Sequence, residues 1–167
     1  KGIPYQTKRP VNALDLPVMQ HFRTLLTYLH DELLEPFSGD HRLFPLLHAS
    51  FFNLAPLDLA QIALAMRRAA SRETKDLYIK AGHASSKKTY WRIVLSDAAF
   101  LENLPLSNPD VYLQLAAHLN GWIADAANLP LPRLIEHLYT QTGLMTWALQ
   151  QPDRVWHIQV LHTLMEF

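Results

Sequence analysis

A chain of 167 residues, 49% hydrophobic and 18% charged, has the size of one domain and enough apolar side chains to fold around one core, which argues against intrinsic disorder. It has no cysteine, which excludes a disulfide framework and any thiolate metal site and agrees with a cytoplasmic setting. No apolar run approaches the roughly 18 to 20 residues that a membrane-spanning helix needs, and no charged-then-apolar leader precedes the fold, so no membrane partner is expected.

Charge is segregated although the formal net charge is zero. Residues 67 to 92 carry Arg67, Arg68, Arg72, Lys75, Lys80, Lys87, Lys88 and Arg92 against Glu73 and Asp76, a local sum of +6. The 75 residues that follow carry Asp97, Glu102, Asp110, Asp125, Glu136, Asp153 and Glu166 against Arg133 and Arg154, a sum of −5.

In chain order, the piece Gly2-Ile3-Pro4-Tyr5 reads as extended. Pro17, two residues after Asp15, marks a first helical position. Phe22, Leu25, Leu26, Leu29 and Leu33 then recur at three and four residues, which predicts an amphipathic helix ending near Pro36. Ser38-Gly39-Asp40 is a turn, and a short segment through Leu43, Leu46 and Leu47 runs toward Asn53 with Pro45 near its first turn. Pro56 starts a stronger helix, with Leu59, Ile62, Ala63 and Met66 on one face before the arginines begin. Residues 71 to 90, containing Gly82-His83-Ala84-Ser85-Ser86 among lysines, read as a mobile basic loop between helices.

One helix is predicted over Trp91 to Asn103. Asn108-Pro109-Asp110 is the capping signal of a long helix through Tyr112, Leu115, Leu119, Trp122 and Ile123, with Gly121 as a weak point. Leu129-Pro130-Leu131-Pro132 stops it. Two helices complete the pattern, one from Pro132 to Thr142 ended by Gly143 in a left-handed cap and one from about Asp153 onward. The expected fold class is all-α: a single compact multi-helix domain, 1–167, with a short extended N-terminal segment. The chain opens without an initiator Met and reaches Phe167 inside a helical pattern, so it reads as an insert in a longer polypeptide.

Chemistry-bearing motifs are sparse. No GxxxxGK[ST] loop is present to wrap phosphates in backbone amides, and no acidic pair stands in a DExx context to hold magnesium. The nine histidines include no HExxH and no helical i, i+4 pair, so no metal site is expected. Glu136-His137 and Asp153-Arg154 lack an activated nucleophile beside them and read as surface or cap residues, so no catalytic residue is assigned. The four tryptophans, Trp91, Trp122, Trp147 and Trp156, are expected in the core and at its interdomain edge.

The basic segment is the candidate site. Arg67, Arg68, Arg72, Lys75, Lys80, Lys87, Lys88 and Arg92 can neutralise nucleic-acid phosphates; a solvated face, or pairing with the acidic C-terminal third, is the alternative. Tyr78, Tyr90 and Trp91 interleave with these charges, a pattern that suits base stacking and equally suits core packing.

The stretch LPRLIEHLYTQTGLMTWALQQPDRVWHIQVLHTLMEF, from Leu131 to Phe167, places Leu134, Ile135 and Leu138 before Thr142-Gly143, then an aromatic, a short polar gap and a second leucine-bearing helix. It resembles the end of the 2B subdomain of UvrD/Rep-type superfamily 1 DNA helicases. Gly2-Ile3-Pro4-Tyr5, followed by a helix carrying Thr27-Tyr28-Leu29, resembles the start of the same insertion. The resemblance implies an accessory DNA-contacting and regulatory subdomain, not catalytic in isolation, in an ATP-dependent helicase of DNA repair or recombination. It also implies that ATP and Mg act on RecA-like core domains of the same parent chain, that duplex or junction DNA is the partner, and that this fragment itself holds no cofactor.

The sequence departs from that family's pattern where Asn53-Leu54-Ala55 replaces a glycine-flanked turn and Lys8-Arg9-Pro10 replaces a glycine pair. The first departure implies that this turn does not approach duplex phosphates. A helical protein-protein interaction module that never touches nucleic acid is the alternative function.

Overall fold

Alternating caps and prolines divide the chain into helices. A computed structural model describes the backbone of residues 16–80 and 89–165 and, outside 72–80 and 163–165, their side chains. The described residues contain α-helices and one 3₁₀ turn and no strand, so the fold is all-α. The expected extended segment Gly2–Tyr5 and the Lys8-Arg9-Pro10 departure lie outside the described residues.

Helix α1, Pro17–Leu34, starts at its proline as the sequence indicates and buries Phe22, Leu25, Tyr28 and Leu29 along one stripe. Helix α2, Asp40–Leu47, begins with Arg42 N–H bonded to the Gly39 carbonyl, and its Pro45 sits near its end instead of in the first turn. Pro45 has no N–H to donate, and the helix stops two residues later. The 3₁₀ turn Ser50–Phe52 then leads to Asn53 and to α3, Pro56–Lys80.

The reading of residues 71 to 90 as a loop is corrected here for its first ten residues, because α3 continues unbroken to Lys80. Neither glycine nor proline occurs between Leu57 and Lys80, and Arg, Glu, Lys and Leu propagate helix well, so nothing local ends it earlier. Gly82 to Ser86 lie outside the described residues.

The helix expected over Trp91 to Asn103 is two, α4 (Trp91–Leu95) and α5 (Ala98–Glu102). Asp97 separates them: its carboxylate accepts the Phe100 N–H at 3.0 Å and caps a new N-terminus in place of continuing the old helix. Helix α6, Pro109–Asn128, opens with Asn108 accepting the Asp110 N–H at 3.1 Å, as its capping signal indicates.

Helix α7, Leu131–Gln141, is followed by Gly143 at φ +81°, the expected left-handed residue. Immediately after it stands α8, Leu144–Gln150, which sequence periodicity did not single out, and then α9, Arg154–Met165. Gly143 is required twice over, since a Cβ there would also lie 2.7 Å from the Phe51 carbonyl oxygen.

Helix α6 is the hub, touching α1, α4, α5 and α7; α2 packs on α1 and α4, and α8 joins α7, α9 and the 3₁₀ turn. Trp122 is buried on α6, with its indole N–H donated to Gln141 Oε1 at 2.7 Å, and Phe22 of α1 stacks on Tyr139 of α7 at 4.9 Å. Burying such rings stabilises by roughly 1.5–3 kcal/mol each, so these contacts hold α1, α6 and α7 as one body. Trp91 and Trp147 are half-buried against this core, whereas Trp156 is 37% exposed.

Candidate nucleic-acid interface

The interface begins with how α3 is fixed. Asp58, in its first turn, is buried and its Oδ2 accepts the Ser107 N–H at 3.0 Å, the Ser107 hydroxyl at 2.8 Å and the Tyr112 hydroxyl at 3.2 Å. Burial and the neighbouring Asp58 carboxylate both push the Tyr112 phenol upward, so it stays a neutral donor. Leu59, Ile62 and Met66 then face the core, which turns the opposite side of α3 outward.

Leu64, Arg67, Arg68 and Ser71 occupy that outward side and line an open depression of about 320 Å³. Ser71 Oγ bonds back to the Arg67 carbonyl at 2.9 Å, and the two guanidinium groups are the charged groups of this lining. Neither Arg67 nor Arg68 has an acidic partner among the described residues. With about 3.6 residues per turn, helical register carries positions 72 and 75 along the stripe of Leu64 and Arg68. The side chains of Arg72, Lys75, Tyr78 and Lys80, and all of Lys87 and Lys88, lie outside what is described.

Arg92 is separated from this stripe. Its Nη2 donates to Glu32 Oε2 at 2.6 Å and its Nη1 to Asn120 Oδ1 at 2.9 Å, and its guanidinium lies 4.5 Å from the centre of the Phe37 ring. Glu32 is almost completely buried and also accepts the Phe37 and Gly39 N–H groups at 3.0 and 3.2 Å. Arg92 therefore serves an internal network that ties α1, the turn before α2, α4 and α6 together, and it is not free to meet a phosphate as the sequence reading proposed. Tyr90 stacks on Phe37 at 4.5 Å, both rings half-buried.

A second depression, about 350 Å³ and open, is lined by Ala63 and Met66 of α3 together with Asp40, His41, Phe44 and Trp91. Phe44 and Trp91 have ring centres 5.0 Å apart and planes inclined at 32°. The Asp40 carboxylate accepts the Trp91 N–H at 2.7 Å; burial raises its pKa, and that hydrogen bond works in the opposite direction. Sequence reasoning flagged Trp91 as a possible stacking residue but missed Phe44 and Asp40, because only the packing of α2 beside α4 brings them together.

The turn at Asn53 has φ +50°, a left-handed geometry that asparagine adopts more readily than most residues other than glycine. Asp58 nevertheless places a carboxylate in the first turn of the helix that follows, which disfavours an anion at that N-terminus. The remaining candidates are surface pairs. Arg133 Nη1 meets Glu136 Oε2 at 2.9 Å, and His137 Nδ1 meets Asp125 Oδ2 at 3.1 Å, both exposed and worth about 0–1 kcal/mol. Among the described residues no group of three metal-capable side chains converges, and no helix is long and apolar enough to cross a membrane.

Comparison of the chain with protein-family models, with curated proteins and with solved structures finds no match in any of the three.

Proposed function

We propose that this chain is a 2B-like accessory subdomain of an ATP-dependent, UvrD-like DNA helicase, contacting DNA phosphates through the outward side of α3. The observation that supports this most is the pair Arg67 and Arg68, exposed and without an acidic partner among the described residues, on a helix whose opposite side is locked into the core. A guanidinium already engaged with a carboxylate cannot release a phosphate's counterions; these two can. ATP and Mg act on RecA-like domains elsewhere in the parent protein, in the cytoplasm, and the fragment contributes grip and regulation, not turnover.

Fluorescence anisotropy of the chain on labelled junction DNA tests this reading. Binding at low salt that weakens when Arg67 and Arg68 are changed to Glu supports it, and absence of binding even at low salt overturns it. A protein-docking module is the second reading, favoured by Leu149, Val155 and Trp156, which stand 52, 66 and 37% exposed near the junction of α8 and α9. It requires that the same charge reversals leave DNA affinity unchanged.

A further inference from the structure

The two depressions on α3 differ in chemistry and share a helix. Ala63 lines the aromatic cleft, Arg67 lines the basic depression, and the two residues are four apart, hence neighbours on one helix face about 6 Å apart along the axis. Met66 and Arg67, adjacent in sequence, make the same division one turn along. In the cleft, Phe44 keeps 38% of its surface exposed, although its ring has Trp91 at 5.0 Å on one side and His48 at 4.8 Å on another. An aromatic pair left open to solvent beside unpaired guanidinium groups is the pairing of features by which proteins hold single-stranded nucleic acid: π-faces for bases and cations for the backbone.

We infer that the cleft formed by Phe44, Trp91, Ala63 and Met66 seats an unpaired nucleobase, stacked on the two rings, while the adjoining phosphates of the same single strand lie along Arg67 and Arg68. The inference rests on the phosphate-binding reading given above and adds to it the kind of strand recognised. Asp40 sorts base from backbone. Its carboxylate lines the aromatic cleft and repels a phosphate there, so the backbone is steered to the arginines and the base to the rings. A base held in a duplex has both faces covered by its neighbours, so the cleft selects single-stranded or flayed DNA over paired DNA. The lining is mostly apolar and offers few groups to read a base edge, so it tolerates different bases.

The test compares anisotropy of the whole chain on a labelled single-stranded oligonucleotide, on a duplex of equal length, and on a single strand of the same length made of abasic sites, all at one low salt concentration. Phe44→Ala is the informative variant because Phe44 is an exposed side chain outside the buried core. It is expected to weaken single-strand binding at least about fivefold and to leave duplex binding unchanged. The abasic strand is expected to bind the native chain about as weakly as the base-bearing strand binds Phe44→Ala. Equal single-strand affinity of native and Phe44→Ala, or equal affinity of abasic and base-bearing strands, overturns the inference while leaving phosphate binding intact. A parallel loss on single strand and duplex also overturns it, since Phe44 then acts through the fold. If the native chain binds none of the three, the phosphate-binding reading falls and this inference with it.

Discussion

Arg92 and Arg67 belong to the same run of positive charge, and their surroundings give them opposite tasks. Removing the Arg92 charge leaves Glu32 buried beside two backbone N–H groups with no cation, a state that costs about 3–5 kcal/mol. Arg92→Met is therefore expected to lower the urea midpoint sharply, whereas Arg67→Met is expected to shift stability by no more than about 0.5 kcal/mol. Glycines divide in the same way. A Cβ on Gly121 meets nothing within 4 Å in the middle of α6, so Gly121→Ala is expected to stabilise by about 1 kcal/mol. Gly143→Ala combines positive φ with an approach of 2.7 Å to Phe51 O and is expected to destabilise by at least about 2 kcal/mol. Thermal unfolding of both variants beside the native chain checks the pair.

At the level of helices, a pH dependence of stability is expected from His21 of α1, which feels the charge of His48 just after α2. Burial, and secondarily the nearby His48, lowers the pKa of His21 below 6.5, and its Nδ1 is buried without a hydrogen-bond partner. A lowered folded-state pKa means that His21 contributes its full stability above the unfolded value and loses it as pH falls through the folded value. The melting temperature of the native chain is thus expected to drop relative to His21→Gln as pH is taken from 8 to below about 6.5; a constant difference between the two across that range contradicts the assignment.

Helix boundaries were legible wherever one local residue decides them, as at the starts marked by Pro17 and Asn108 and at the end of α7 marked by Gly143, because caps and proline act through their own backbone. The break at Asp97 was hidden because the apolar pattern runs through it and only the side-chain cap on Phe100 N–H reveals two helices. The early end assigned to α3 came from reading charge as loop, although lysine and arginine are good helix formers. Of the candidate site, Arg67 and Arg68 were legible from charge alone. The withdrawal of Arg92 and the making of the aromatic cleft were not, since Glu32 and Phe44 lie 60 and 47 positions away from Arg92 and Trp91.

For the whole molecule, the folded body spends its acidic groups unevenly. Glu32, Asp40 and Asp58 are turned inward onto hydrogen-bond donors of neighbouring elements and Asp31 pairs with Arg42, while Arg67 and Arg68 of α3 have no acidic partner among the described residues. The proposed function assigns a polyanion to the exposed pair Arg67 and Arg68 of this formally neutral chain. The slope of log affinity against log salt on duplex DNA measures that claim most directly. Each phosphate contact contributes about −0.9, so changing both Arg67 and Arg68 to Gln is expected to make the slope shallower by about 1.8. A slope identical in the native and doubly substituted chains would mean that these two arginines do not meet the DNA backbone.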